Sequence, residues 1–213
     1  MANKILNSIK EKDNFPIQKF QKKETLFHEN DRFKYNFIVK SGVIKLFKVS
    51  DRGREFTIDY LWPGDYLLLP CFNGLFRYPF SAVVYKEASI IVIKSDCMKD
   101  IFKDSINDLG IELIEDIWSK MVELINKMGV LVFNDVEHRV ASVLMKLSED
   151  ISSDGDLVYM PFSHNDLASL LGTVREVVSR QMLKLKKEQI VHSCGIKGFT
   201  INKSLLREYL SSL

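Results

Sequence analysis

Cysteine is scarce in this 213-residue chain. Cys71, Cys97 and Cys194 are odd in number, lie far apart and form no C-x-x-C pair. That argues against a disulfide scaffold and against a zinc ribbon, and a cytoplasmic setting with reduced thiols is the simplest expectation. Long apolar runs are missing too. Stretches such as Met128–Phe133 fall well short of the roughly 18–20 residues that a membrane helix needs, so no membrane partner is expected. Met1–Lys12 is charged and lacks an apolar core, unlike a secretory signal. The four histidines, His28, His138, His164 and His192, occupy unrelated segments without H-x-H or H-E-x-x-H spacing, so no metal is expected. There is no phosphate-cradling glycine loop and no nucleophile–base constellation, so the chain is not read as an enzyme. Nor does charge of one sign dominate: the net value is +2, which by itself says nothing about nucleic acid.

What remains is an ordinary globular composition, 46% hydrophobic and 27% charged, which excludes a mainly disordered chain. The length suits one large or two small domains that can bury a core unaided. By texture the chain divides into residues 1–107, 108–134 and 135–213. The first part reads as short strands: Tyr35–Val39, Val43–Val49, Phe56–Leu61, Tyr66–Leu69, Phe80–Val84 and Ser89–Ile93. Ser41-Gly42, Asp51-Arg52-Gly53 and Pro63-Gly64-Asp65 supply turn chemistry between them. Strands of this number and spacing predict a barrel or roll.

The middle part carries a heptad seam. Ile111, Ile114, Trp118, Met121, Ile125, Met128 and Val132 recur at alternating intervals of three and four, and Leu113, Ile117, Leu124 and Leu131 form a neighbouring stripe. Two arrangements meet this pattern. The seam pairs with a twin helix while the second stripe packs on the β-part, or one helix is buried on two sides within a monomer. The seam outlasts a typical globular helix of about 11 residues, which favours the dimer.

In the last part, Asp135–Ser148 is an amphipathic helix and Leu157–Met160 a short strand. Ser163-His164-Asn165-Asp166 has a capping-box pattern opening a helix that Gly172 stops. Thr173-Val174-Arg175-Glu176 repeats that pattern and starts a second helix. Ala168, Gly172 and Val178 stand where two crossing helices need a small residue, a turn and a buried contact, so the segment predicts a helix-turn-helix. Gln189–Ser193 and Gly198–Asn202 bracket Cys194–Lys197 as a hairpin wing. From Ser163 to Lys203 the net charge is +4, an electrostatic footprint that suits phosphate. The second helix opens with Arg175, Glu176, Ser179 and Arg180. Arginine can bond guanine O6 and N7 together, and glutamate can accept from cytosine N4. Those four residues, with Thr173 and with Lys197 at the wing tip, are the expected contacts to double-stranded DNA. The competing class is a ligand-binding β-roll protein or enzyme without a DNA role, which leaves the basic second helix idle.

The chain resembles Crp/Fnr-type transcription regulators nearly end to end. Phe27-His28-Glu29-Asn30-Asp31, Phe37–Leu46, Asp51-Arg52-Gly53-Arg54-Glu55 and Trp62-Pro63-Gly64-Asp65 match that family's β-roll, and Arg175-Glu176-Val177-Val178-Ser179-Arg180 its recognition helix. The resemblance implies an α+β fold: a double-stranded β-helix sensor, a dimerisation helix and a winged helix-turn-helix. It implies a homodimer on a pseudo-palindromic operator, with RNA polymerase as a partner if the protein activates. Glu176 and Arg180 would read a C·G or G·C pair in a TGA-type half-site. Gln181 departs from the family, which commonly has an apolar residue there. The Fnr branch often carries an iron–sulfur cluster, which needs about four cysteine ligands, so none is expected here.

Cyclic-nucleotide-binding members carry a glutamate for the ribose and an arginine–serine pair for the phosphate. In this chain Leu69 and Phe80 fall at the charged positions, and only Ser81 remains. A cyclic nucleotide is therefore not the expected effector. Tyr66, Leu69, Phe72, Phe80 and Ser81 mark the candidate effector pocket. Its aromatic residues suit an apolar ligand and equally suit a filled core. Cys71 is either a thiol sensor there or a small buried hydrophobe.

Overall fold

The computed structural model describes residues 15–68, 76–96, 114–115, 117–126, 128–130, 133–151, 155–193 and 198–213. Contacts divide the chain into two units, Met1–Gly53 with Ile58–Leu124, and Arg54–Thr57 with Ile125–Leu213.

Two long strands organise the first unit: β3 (Tyr35–Val49) and β6 (Ser81–Lys94). They pair antiparallel from Tyr35↔Lys94 to Phe47↔Ser81. β1 (Ile17–Phe20) and β2 (Thr25–Phe27) join β6, while β4 (Glu55–Leu61) and β5 (Tyr66–Leu67) join β3. The sequence predicts four separate strands where β3 and β6 run through; in β3 the division comes from Ser41-Gly42, which reads as a turn. The structure corrects this: the register shifts at Val39/Ser41, Ser41/Val43 and Val43/Ile44, which is a bulge in a continuous strand. Gly42 has φ +84°, and a Cβ there would lie 2.1 Å from the Glu87 carbonyl oxygen. Only glycine permits that approach. β1 and β2 give little sequence signal, since most of β1 is exposed and β2 is three residues long.

Alternating inward residues of β3 and β6 meet aromatics from the flanking segments. Phe27, Phe33, Phe37, Val39, Ile44, Tyr78, Val84 and Ile90 form a buried cluster, with Phe80 and Leu67 packed against it. Phe27 stacks on Tyr78 at 3.7 Å between ring centroids, and Phe33 meets Tyr78 edge-on at 5.1 Å. The Tyr78 hydroxyl donates to the Tyr35 carbonyl at 2.8 Å and accepts from the Tyr35 N–H at 3.1 Å. Its polar end is thus satisfied inside an apolar core.

Residues 114–115, 117–126 and 128–130 are helical. Ile114, Trp118, Met121, Ile125 and Met128 of the seam are exposed in the single chain, Trp118 and Met128 at 63% each. Ile111 and Val132 lie outside the described residues. Ile117 and Leu124 of the second stripe are exposed as well, so the stripe's described residues do not pack on the β-part. Helical structure breaks at Asn134–Asp135. There Asp135 Oδ1 accepts from the His138 N–H at 2.8 Å and Asn134 Nδ2 lies 2.7 Å from His138 Nδ1.

The second unit continues with α1 (Val136–Ile151), β7 (Leu157–Met160), α2 (His164–Leu171), α3 (Arg175–Lys187), β8 (Val191–Ser193), β9 (Phe199–Asn202) and α4 (Lys203–Ser212). The strands form a sheet in the order β7-β9-β8, antiparallel throughout. Val140, Leu144, Met160, Phe162, Leu167, Val178, Ile201 and Leu206 are almost fully buried and make its core. Asn202 caps α4, its Oδ1 accepting from the Leu205 N–H at 3.0 Å.

Candidate nucleic-acid interface

The α2–turn–α3 element is set by local chemistry. Ser163 Oγ accepts from the Asp166 N–H at 3.2 Å, and Asp166 Oδ2 accepts from the Ser163 N–H at 2.8 Å, a complete capping box. α2 stops at Gly172, whose φ of 63° only glycine adopts at little cost. Ala168 is buried, and Val178, Met182 and Leu185 are the buried residues of α3.

The start of α3 differs from the sequence expectation. Its N-cap is Val174, which has no side chain able to cap. The Thr173 N–H donates instead to the Ala168 carbonyl at 3.0 Å, so a box between Thr173 and Glu176 does not form. Glu176 is thus not spent on the Thr173 backbone. Arg175, Glu176 and Arg180 are exposed, Ser179 and Thr173 partly so. Arg175 with Ser179, and Glu176 with Arg180, stand four residues apart, so each pair lies one turn apart along α3. Gln181 is partly buried. The wing exists as β8 and β9, with Val191↔Ile201 and His192↔Thr200 in register. Its tip, with Lys197 and Cys194, lies outside the described residues.

Not all of the basic excess faces outward as free charge. Lys184 Nζ lies 2.5 Å from Glu137 Oε1, which ties α3 to α1. His164 was missed by sequence reasoning, which weighed it only as a metal ligand. Its Nδ1 lies 2.8 Å from Ser179 Oγ. Burial first, and the Arg175 charge second, push its imidazole below the ordinary range. No sequence spacing signals a contact between residues fifteen apart on two helices; the packing of α2 on α3 makes it.

In the β-unit, Tyr66 is buried and Lys120 Nζ stands 4.4 Å from its ring centroid. Phe80 is partly buried, 6.1 Å from the Phe27 ring centroid. Buried Ser81 accepts from the Glu29 N–H at 2.9 Å through its Oγ. Arg77 is exposed, and its Nη1 donates to the Asn30 carbonyl at 2.6 Å. Leu69, Phe72, Cys71 and Cys97 lie outside the described residues. Among the described residues no three His, Cys, Asp or Glu gather as a metal site, and no helix is long and apolar enough to cross a membrane.

Residues 17–105 match the model of the cyclic nucleotide-binding domain, and residues 138–209 that of the Crp-like helix-turn-helix domain. Among curated proteins the chain is similar to the cAMP-activated global transcriptional regulator Vfr of Pseudomonas aeruginosa, 25% identical over 194 residues, covering 86% of this chain and 87% of Vfr. It is also similar to the anaerobic regulatory protein of Bacillus subtilis, 25% identical over 179 residues, covering 82% of this chain and 74% of that protein. Among solved structures, FixK2 of Bradyrhizobium japonicum superposes with a TM-score of 0.77 at 19% identity, over 91% of this chain and 96% of that one.

Proposed function

The chain belongs to the Crp/Fnr family of transcription regulators, and from that premise we propose that it acts as a homodimer whose two α3 helices enter successive major grooves of a pseudo-palindromic operator. The carrying observation is the polar set of exposed Arg175, Glu176 and Arg180 with partly buried Ser179, on a helix seated by buried Val178, Met182 and Leu185. Arg180 and Glu176 supply base-reading chemistry, and Thr173 and Lys197 position the domain on phosphate. The uncovered seam, with Trp118 at 63% and Ile125 at 59% exposure, supports pairing with a second copy, because an apolar stripe of this length is costly to leave in water.

An effector in the β-unit biases the break at Phe133-Asn134-Asp135 and so changes the population of the DNA-competent geometry. Vfr is named as cAMP-activated. For this chain the effector is proposed to be something other than a cyclic nucleotide, since Phe80 occupies an arginine's place. RNA polymerase is the further partner if the bound dimer activates.

Selection of bound duplexes from a randomised pool, with sedimentation of the same protein, tests this reading. The expected result is a two-fold symmetric consensus and a dimer at micromolar concentration. Met121→Glu puts an unpartnered charge into the seam and should give monomers that no longer hold the operator. Failure of the wild type to enrich any sequence, or a wild-type monomer, overturns it.

A further inference from the structure

His164 is the first residue of α2, and Ser179 lies on α3, partly buried, one turn after Arg175. Nδ1 and Oγ are 2.8 Å apart in a partly buried contact. The pair lines a cleft of about 420 Å³ together with Asn165, Arg175, Lys186 and Phe199. A serine hydroxyl has one proton to donate and lone pairs to accept. When it donates to Nδ1, it can only accept from a base. When an Nδ1–H donates to it, its own proton is free. Base edges differ in the same way: adenine N6 and cytosine N4 donate, whereas purine N7, guanine O6 and thymine O4 accept.

We propose that His164 is a specificity-determining positioning residue that sets the hydrogen-bonding polarity of Ser179 toward DNA. The neutral ring, with its proton on Nε2, accepts the serine proton at Nδ1 and leaves Ser179 to accept from an amino-bearing base. The imidazolium donates to Ser179 and turns it into a donor that favours an acceptor edge. This rests on α3 being the recognition helix.

The surroundings favour the neutral form. α3 contributes Arg175 and Lys186 to the cleft, both cationic. On the helix of His164 itself, the Asp166 carboxylate is engaged by the Ser163 N–H and hydroxyl at 2.8 and 2.6 Å. The strands packed there contribute Val191 and Phe199, which do not titrate. Burial and the Arg175 charge hold the imidazole below its usual range, so it takes up its proton only in a more acidic solution than a free imidazole needs.

The test selects duplexes with the full-length protein at about pH 7.5 and at the most acidic pH at which circular dichroism shows the fold intact, since the imidazole gains its proton on acidification. In the wild type, one base pair per half-site should change preference from an amino-bearing to an acceptor edge. The expected change is about fivefold in relative affinity, one hydrogen bond's worth. His164→Asn keeps a hydrogen-bonding group near Nδ1 but does not titrate, and should show one preference at both pH values. Ser179→Ala should lose preference at that base pair at both, and decides the matter if His164→Asn does not fold. A wild type that selects the same sequence at both pH values overturns the proposal and leaves DNA readout standing. So does a His164→Asn or Ser179→Ala protein that keeps the pH shift. A wild type that selects nothing at either pH removes the recognition-helix reading, and this proposal with it.

Discussion

Glu137, in the first turn of α1, accepts a hydrogen bond from Lys184, in the last turn of α3, at 2.5 Å. Tyr209 of α4 donates to the same oxygen, so one carboxylate fastens three helices. Lys184 first and Tyr209 second hold the Glu137 carboxyl below its ordinary value of 4.5. A depressed carboxyl adds stability above its unfolded value and loses it as pH falls through its folded one. Glu137→Gln should therefore melt below the wild type at neutral pH, and the two should converge in acid. Lys184 is exposed, so the gap is small, about 2–4 °C by circular dichroism. A gap that persists unchanged in acid would count against the ionised pair.

The same contact shows where sequence reading stops. Capping box, glycine stop and small residue within the helix are local patterns, and Ser163, Gly172 and Ala168 made α2 and its turn legible. Pairs such as Glu137–Lys184 and His164–Ser179 depend on how helices cross, which no residue spacing encodes. Thr173 also misled: it satisfies the capping pattern, yet its N–H closes the α2 turn on Ala168, and the cap moves to Val174. The heptad seam was legible because an apolar stripe repeats with the helix. What covers it was not, since periodicity shows a face and not its partner.

Gly42 and Gly172 both have positive φ, and both read as turn glycines, but substitution should separate them. At Gly42 a Cβ would meet the Glu87 carbonyl oxygen at 2.1 Å and Ala88 Cα at 2.5 Å, both backbone atoms of the paired strand. Gly42→Ala must part β3 from β6, at a cost of about 3 kcal/mol or more. Around Gly172 nothing lies closer than 3.8 Å. Gly172→Ala meets only backbone strain, about 1–2 kcal/mol. Urea unfolding ranks them; equal losses would show that the bulge in β3 yields more easily than its packing implies.

Arg180 and Lys197 should fail differently on DNA. Arg180 is exposed on α3, and under the proposed docking its bidentate contact to guanine would carry about 1–3 kcal/mol of discrimination. Arg180→Ala should lose that affinity and relax preference at one base pair. Lys197→Ala should weaken all duplexes alike and lower the salt slope by about 1. Titrations of operator and scrambled duplex at several salt concentrations separate the two. An Arg180→Ala protein with unchanged affinity and preference would show that α3 docks otherwise.

The β-unit matches a cyclic nucleotide-binding domain, yet its own side chains argue for a different ligand. A cyclic phosphate is an anion, and burying it without a charged partner costs far more than one hydroxyl can return. By the resemblance Ser81 would be the one polar residue left at the phosphate positions, and its Oγ already accepts from the Glu29 N–H at 2.9 Å. Phe80, where the family's arginine would stand, packs on the aromatic core beside Phe27. Arg77 lies three residues away, exposed, with its guanidinium on the Asn30 carbonyl. A roll of this shape does not decide the matter, because the fold supplies the cavity while a few side chains choose what enters it. Calorimetry of the full-length protein with cAMP and with cGMP should therefore show no saturable binding at physiological concentration. A saturable micromolar signal that also strengthens operator binding would mean that Arg77 reaches the phosphate and that Phe80 is not the arginine's counterpart.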